Sequence, residues 1–202
     1  MRAVRNRLMM AVVAGALATT LAPAASAQTE PDSEVFLNAI EQQRGDEVLD
    51  LVARKGRAIV NVRGYSGATP LTLAMRKRAT LYVNYLLQHG ADPDLADKSG
   101  DTALIIAARL GHGEGVASML IAKAAVDAAN RQGETALIVA VQNYQAPIVR
   151  RLLEAGASAS RTDNAGLSAR DYAARDRRSS EILRLIDGVK PKPRFEAGPI
   201  LR

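Results

Sequence analysis

"SGDTALIIAARLGH" (Ser99–His112) and "QGETALIVAVQNYQ" (Gln132–Gln145) say nearly the same thing at a spacing of 33 residues. A catalytic motif is usually written once. A mostly apolar phrase repeated at a fixed period of this size describes a structural unit that stacks on its own copies. Four columns keep the same phase. Glycine recurs at Gly67, Gly100, Gly133 and Gly166, and a hydroxyl follows two positions later at Thr69, Thr102, Thr135 and Ser168. Alanine recurs at Ala74, Ala107, Ala140 and Ala173, and a large apolar pair at Leu86-Leu87, Met119-Leu120, Leu152-Leu153 and Leu185-Ile186.

Each column has a physical task. The glycine permits a tight turn with positive φ, and the hydroxyl caps the helix that follows. Leu104, Ala107 and Ala108 fall at i, i+3 and i+4, one face of a short helix, and the alanines allow close helix approach. "TLYVNYLLQ" (Thr80–Gln88) predicts a second amphipathic helix with Val83, Leu86 and Leu87 on one face, stopped by Gly90, as Gly156 stops its later counterpart. One unit is a turn and two short helices. No unit buries both faces alone, so the units must form a solenoid with Leu104, Leu120, Leu137 and Leu153 buried between them.

"SGATPLTLA" (Ser66–Ala74) followed by "LLQHGADPD" (Leu86–Asp94) resembles the ankyrin repeat, and the resemblance covers roughly residues 34–190. It implies an all-α fold: an ankyrin-type solenoid of about five stacked helix-turn-helix repeats joined by turns or hairpins, with degenerate terminal caps. The repeats are expected at 34–63, 64–96, 97–129, 130–162 and 163–190. The motif proline survives only as Pro70, with Ala103 and Ala136 in its later places, and the motif histidine is Thr72, Ile105 and Ile138. The first unit has two helical patterns over Glu34–Gly56 but no turn motif before them. The last unit puts Arg170 where its predecessors have Leu71, Leu104 and Leu137, which gives a terminal repeat a polar outer face.

The flanks read differently. Arg2, Arg5 and Arg7, the apolar run Leu8–Ala22 and the small-residue site Ala25-Ser26-Ala27 have the order of a secretory signal peptide over residues 1–27. The competing reading is an uncleaved membrane helix, for which the run is short and alanine-rich. A linker is expected at 28–33 and a proline-bearing flexible tail at 191–202. Removing the three arginines lowers the formal charge from +6 to about +3, too mild to argue for nucleic acid, and aromatics at 3% are sparse for a base-stacking surface. There is no cysteine, hence no disulfide and no thiolate metal site. The expected location is the periplasm or the external medium.

No catalytic constellation emerges. His112 sits in a helix connector and His89 at a helix end, with no second ligand at metal spacing. Ser66 and Ser99 lie in turns without the strand-elbow-helix context of a nucleophile. Asp94 and Asp127 stand one per unit, which suits turn capping better than a shared calcium ion. "GHGEG" (Gly111–Gly115) lacks the Lys-Ser/Thr ending of a phosphate loop and is expected to loosen the helix start. The expectation is a non-enzymatic monomer with no cofactor and no metal, binding another protein. An accessory or chaperone-like subunit of an exported enzyme is a special case; nucleic-acid binding and an unseen active site are alternatives of other classes.

The resemblance implies that partners are held on turn tips and the concave helix face. The residues two after the motif alanine are Arg76, Arg109, Gln142 and Arg175, with Lys77 beside the first. With Lys98 and Arg131 at the turns, they form a candidate basic surface for an acidic protein segment. The competing reading is that the arginines pair with Asp101, Glu134 or Asp176 as a solvated charged face.

Overall fold

The computed structural model describes residues 31–188; the signal-peptide reading over 1–27 and the tail over 191–202 lie outside the described residues. Five helix pairs follow one another. They are α1 (Asp32–Glu41) with α2 (Gly45–Lys55), α4 (Pro70–Arg76) with α5 (Thr80–Gln88), α6 (Ala103–Leu110) with α7 (Gly113–Ile121), α8 (Ala136–Gln142) with α9 (Ala146–Glu154), and α10 (Ala169–Arg175) with α11 (Ser180–Gly188). A one-turn helix α3 (Arg57–Val60) fills the loop after the first pair, and a 3-10 turn (Arg177–Ser179) precedes α11. The first helices stack in a row, α1 on α4 on α6 on α8 on α10, and the second helices α5, α7, α9 and α11 form a parallel row. The first pair is longer than its neighbour, 10 and 11 residues against 7 and 9, and α1 begins two residues inside the stretch read as linker.

The columns do what their chemistry suggests. Gly67, Gly100, Gly133 and Gly166 all take φ between 74° and 80°. Thr69, Thr102, Thr135 and Ser168 are the N-caps of α4, α6, α8 and α10, each accepting from the backbone N–H three residues on. The position of the missing motif histidine divides by chemistry. Thr72 closes a buried capping box with Thr69, and Asp171 closes one with Ser168. Ile105 and Ile138 give up that second bond and join the core. Leu104, Leu137 and Leu153 are buried as expected. Leu120 is only half buried, because Met119 holds the inward position at that step.

"GHGEG" also has a different task from the one expected. Gly111 ends α6 in the left-handed conformation. Gly115 is buried against the neighbouring unit, where a Cβ would stand 2.5 Å from Met75 Sδ. The glycine brings two units together rather than loosening a helix. At the far end, Arg170 Nε meets Asp187 Oδ1 at 2.8 Å and closes the last pair with a polar bridge.

Candidate functional site

The edge formed by the turns is where this fold concentrates exposed polar groups on a rigid frame. Each turn closes with a backbone bond of one pattern: Gly64 N to Ala68 O at 2.9 Å, Asp97 N to Asp101 O at 2.9 Å, Asn130 N to Glu134 O at 3.0 Å, Asp163 N to Leu167 O at 3.0 Å. In the last three turns a side chain organises the loop from within. Asp97 Oδ1 accepts from Ser99 N (2.8 Å) and Asp101 N (3.0 Å). Asn130 Oδ1 accepts from Gln132 N (3.0 Å) and Glu134 N (2.9 Å), and Asp163 Oδ1 from Ala165 N (2.9 Å) and Leu167 N (3.0 Å). This column, Asp97-Asn130-Asp163, keeps the period of the glycines and is visible in the sequence, although it is not one of the four columns that define the repeat there.

The remaining polar atom of each organiser makes a different bond: Asp97 Oδ2 meets Arg76, Asn130 Nδ2 meets two carboxylates, and Asp163 Oδ2 meets Tyr172. Arg76 pairs with Asp97 Oδ2; the arginine side chain is 47% exposed and the aspartate 7%. Arg109 grips Asp101 with both terminal nitrogens, Nη2 lying 3.1 Å from Oδ1, and stands 3.6 Å from Glu134. Asn130 Nδ2 donates to Asp101 Oδ1 (2.9 Å) and to Glu134 Oε2 (3.1 Å). Burial pushes the Asp101 carboxyl up, but hydrogen bonds from Arg109 and Asn130, with the charges of Arg109 and Arg76, outweigh it and hold it below its ordinary value. Reciprocally, the Asp101 bond raises the Arg109 guanidinium, against its own burial. The third organiser, Asp163, accepts from Tyr172 at 2.6 Å, a bond that lowers its carboxyl.

The column of candidate residues is therefore not one uniform ladder. Arg76 and Arg109 are tied to carboxylates. Lys77 lies 3.8 Å from Glu41 of the first unit. Gln142 is half buried beside Tyr172, and Arg175 is exposed with no ion pair among the described residues. At the tips the signs separate by depth. Asp97 and Asp101 are buried and Glu134 is half buried; all three are paired. Lys98 and Arg131 are exposed and carry no ion pair among the described residues.

The other candidates resolve as frame. Asp94 Oδ1 accepts from Ala125 N at 2.7 Å and Asp127 Oδ1 from Ser158 N at 2.8 Å, each carboxylate capping the loop of the next unit. Asn61 does the same for Asp92 N at 2.7 Å. His112 is buried, with Nε2 3.1 Å from Thr80 Oγ1. His89 Nδ1 meets Tyr85 O at 2.8 Å and its ring lies against that tyrosine. Among the described residues no group of three or more His, Cys, Asp or Glu could hold a metal ion, and no helix is long and apolar enough to cross a membrane.

A family model described as ankyrin repeats matches the sequence in three copies, over residues 8–130, 83–163 and 111–193. No curated protein matches it significantly.

Proposed function

This chain belongs to the ankyrin repeat family, whose repeats are generally protein–protein interaction modules, and from that premise we propose a non-catalytic scaffold acting outside the cytoplasm. It holds a partner protein through its turn tips and the adjoining first-helix face, and the partner offers an acidic segment. The observation that carries this reading is the separation of charge by depth. The tip carboxylates are turned inward, paired with Arg76 and Arg109 and hydrogen-bonded by Asn130, whereas Lys98 and Arg131 face out, one unit apart, without ion-pair partners among the described residues. Arg175 extends the same sign on the last first helix. Arg76, Lys77, Arg109 and Gln142 then contribute mainly as the wall against which a partner lies.

The reading is tested by capturing the partner from the envelope fraction of the native host and measuring its affinity. Lys98→Glu with Arg131→Glu lowers the affinity about tenfold or more, with circular dichroism and melting point unchanged, and wild-type affinity declines with added salt. Wild-type affinity in the double variant overturns the tip assignment. A partner found only in the cytoplasm overturns the proposed location, and capture of nucleic acid instead of protein overturns the partner class.

A further inference from the structure

The five units are not joined alike along the tip edge. Arg131 N donates to Ser99 O at 3.1 Å, and Asn164 N donates to Gln132 O at 2.9 Å, so the third, fourth and fifth turns are zipped by backbone rungs 33 residues apart. The matching rung between the second and third turns would run from Lys98 N to Ser66 O, and it is not made among the described residues. The glycines register the same parting. A Cβ on Gly100 or Gly133 would lie 2.8 Å from the next turn's backbone nitrogen, whereas one on Gly67 would lie 3.2 Å from Lys98 N but 2.6 Å from Lys98 Cβ, so the turns still touch at this step while their backbone groups are out of bonding register. At this step a cleft of about 310 Å³ opens, lined by Ser66, Ala68, Arg76, Asp97, Lys98 and Ser99.

The donors around that cleft point to one ligand chemistry. Lys98 N–H has no acceptor among the described residues. Arg76 uses only Nη2, on Asp97, which leaves the rest of its five-donor fork on a half-exposed side chain. The Lys98 ammonium and the hydroxyls of Ser66 and Ser99 complete the lining. Asp97 does not cancel this set, because its Oδ1 is occupied by two backbone N–H groups and its Oδ2 by Arg76. Arg76 and Lys98 against Asp97 leave one net positive charge, which matches a carboxylate rather than a dianion. The next cleft along the groove, which shares Ser66 and Ala68, is lined by Glu34 and Glu41, so a run of acids cannot continue in that direction.

We infer that the parted step between the second and third turns is a carboxylate-reading cleft, which takes a single acidic group of the bound partner between Arg76, the Lys98 ammonium and N–H, and the two serines. The inference rests on the protein-binding reading above and narrows it: an isolated carboxylate, not an acidic run, enters at this point. That carboxylate comes from an Asp or Glu side chain or from the partner's C-terminal residue.

The test uses the purified full-length protein, isotope-labelled, titrated with short synthetic peptides and followed by amide chemical shifts. The probes are an alanine peptide with blocked ends and one central Glu, the same peptide with Gln, a blocked peptide with a free C-terminal carboxylate, a peptide with a run of Glu, and inorganic phosphate. The single carboxylates are expected to move the Ser66, Lys98 and Ser99 amides first. They bind about two- to fivefold more tightly than the Gln peptide, and the acidic run gains nothing over one Glu. Whichever single-carboxylate peptide is tighter names the source. Lys98→Gln, an exposed substitution with no ion pair to break, removes the preference for Glu over Gln. Arg76→Lys, which keeps a charge for Asp97, weakens it. Equal binding of the Glu and Gln peptides overturns the inference, as does tighter binding of phosphate or of the acidic run. Shifts centred on Arg131 and Asn164 instead overturn the cleft while leaving the tip reading in place.

Discussion

The step between the second and third turns and the step between the third and fourth are built on one 33-residue template, yet the first is parted and the second is zipped. The cause is one column. Asp97, Asn130 and Asp163 each set their turn from within, and the second turn has Gly64 at that place. Gly64 has no side-chain acceptor to offer its own loop; only its backbone takes part, accepting from Gly67 N at 2.8 Å. The first pair packs closely there: a Cβ would stand 2.5 Å from Leu37 Cδ1 and 3.2 Å from Glu34 Oε1, so a larger residue would displace those side-chain ends. The second turn leans on its neighbours: Tyr65 N donates to Glu34 Oε1 at 2.7 Å and Arg63 reaches Gly67 O at 3.4 Å, while within the loop Ser66 Oγ accepts a long bond from Ala68 N at 3.4 Å. The capping pair thus takes over a turn that the regular units hold by themselves, and the rung to the next turn is lost. Interior regularity builds a continuous edge, and the junction with a cap is where that edge becomes a cleft.

If the parting is confined to the tips, the core beneath both steps should be equally firm. Leu71 and Leu137 occupy equivalent buried positions on either side. Leu71→Ala and Leu137→Ala are each expected to cost about 2–5 kcal/mol by denaturant unfolding, as are other fully buried leucines of the repeat. Leu120→Ala, at a half-buried site, should cost about 1 kcal/mol, in line with the smaller apolar area it buries. A Leu71→Ala cost well below that of Leu137→Ala would mean that the weakness reaches the core.

The organiser column allows the zipped step to be opened on purpose. Asn130→Ala removes the acceptor of two turn N–H groups and the donor to Asp101 and Glu134. The expected loss is about 1–3 kcal/mol, since buried polar groups are left without partners. Its diagnostic is local. In the wild type the bonded Arg131 and Asn164 amides are expected to exchange slowly with solvent and the unbonded Lys98 amide quickly; in Asn130→Ala the Arg131 amide should approach the rate of Lys98. A fast Arg131 amide already in the wild type would remove the distinction between the two steps.

Much of this architecture is legible in the sequence. The glycine, hydroxyl, alanine and leucine columns work through neighbours a few residues away, so their spacing carries the turns, the caps and the helix pairs. The charged face cannot be read in the same way. Whether Arg76 faces a partner or Asp97 depends on a separation of 21 residues and on the stacking offset between units. Both signs at the tips look like cancellation in the sequence, because sequence does not record depth. The organiser column is in phase and readable; the rung that fails at Lys98 is not, because it follows from Leu37 packing onto Gly64 from another unit.

A substitution that stabilises the array without touching the comparison serves as its control. Lys123 occupies the place held by Gly90 and Gly156 one unit away on either side, and it takes φ 60°, where a side chain is strained. Lys123→Gly should raise stability by about 0.5–1 kcal/mol, the relief of strain exceeding the added freedom of the unfolded state. Because Lys123 is exposed and its side chain makes no hydrogen bond or ion pair among the described residues, the slow exchange expected for Arg131 and the fast exchange expected for Lys98 should be unchanged. A destabilised Lys123→Gly would show that the lysine makes a compensating contact.

The smallest expected effect concerns the opposite edge of the same junction, where the second and third units are joined although their tips are parted. There Arg78 donates to Leu110 O, Ser118 Oγ donates to Asn84 Oδ1 at 2.7 Å, and His112 Nε2 meets Thr80 Oγ1. Burial, and then the charge of Arg78, push the His112 imidazole below its ordinary value, with Glu114 opposing. A histidine depressed in the folded state binds its proton more weakly there than in the unfolded state. Its contribution is therefore complete above the unfolded value of about 6.5, and it diminishes as pH falls from there toward the folded value. Unfolding free energy of the wild type should decline slightly over that window. His112→Gln should lose the decline while retaining the carboxylate-driven loss at lower pH, where Asp101 protonates. If the junction is held at this edge, the Lys98 amide, already unprotected, should keep its exchange behaviour through the window once corrected for intrinsic pH dependence, while the His112 amide, bonded to Ala107 O at 2.9 Å, loses protection. A wild-type profile that is flat between neutral pH and the carboxylate range would mean that His112 titrates as it does in the unfolded state.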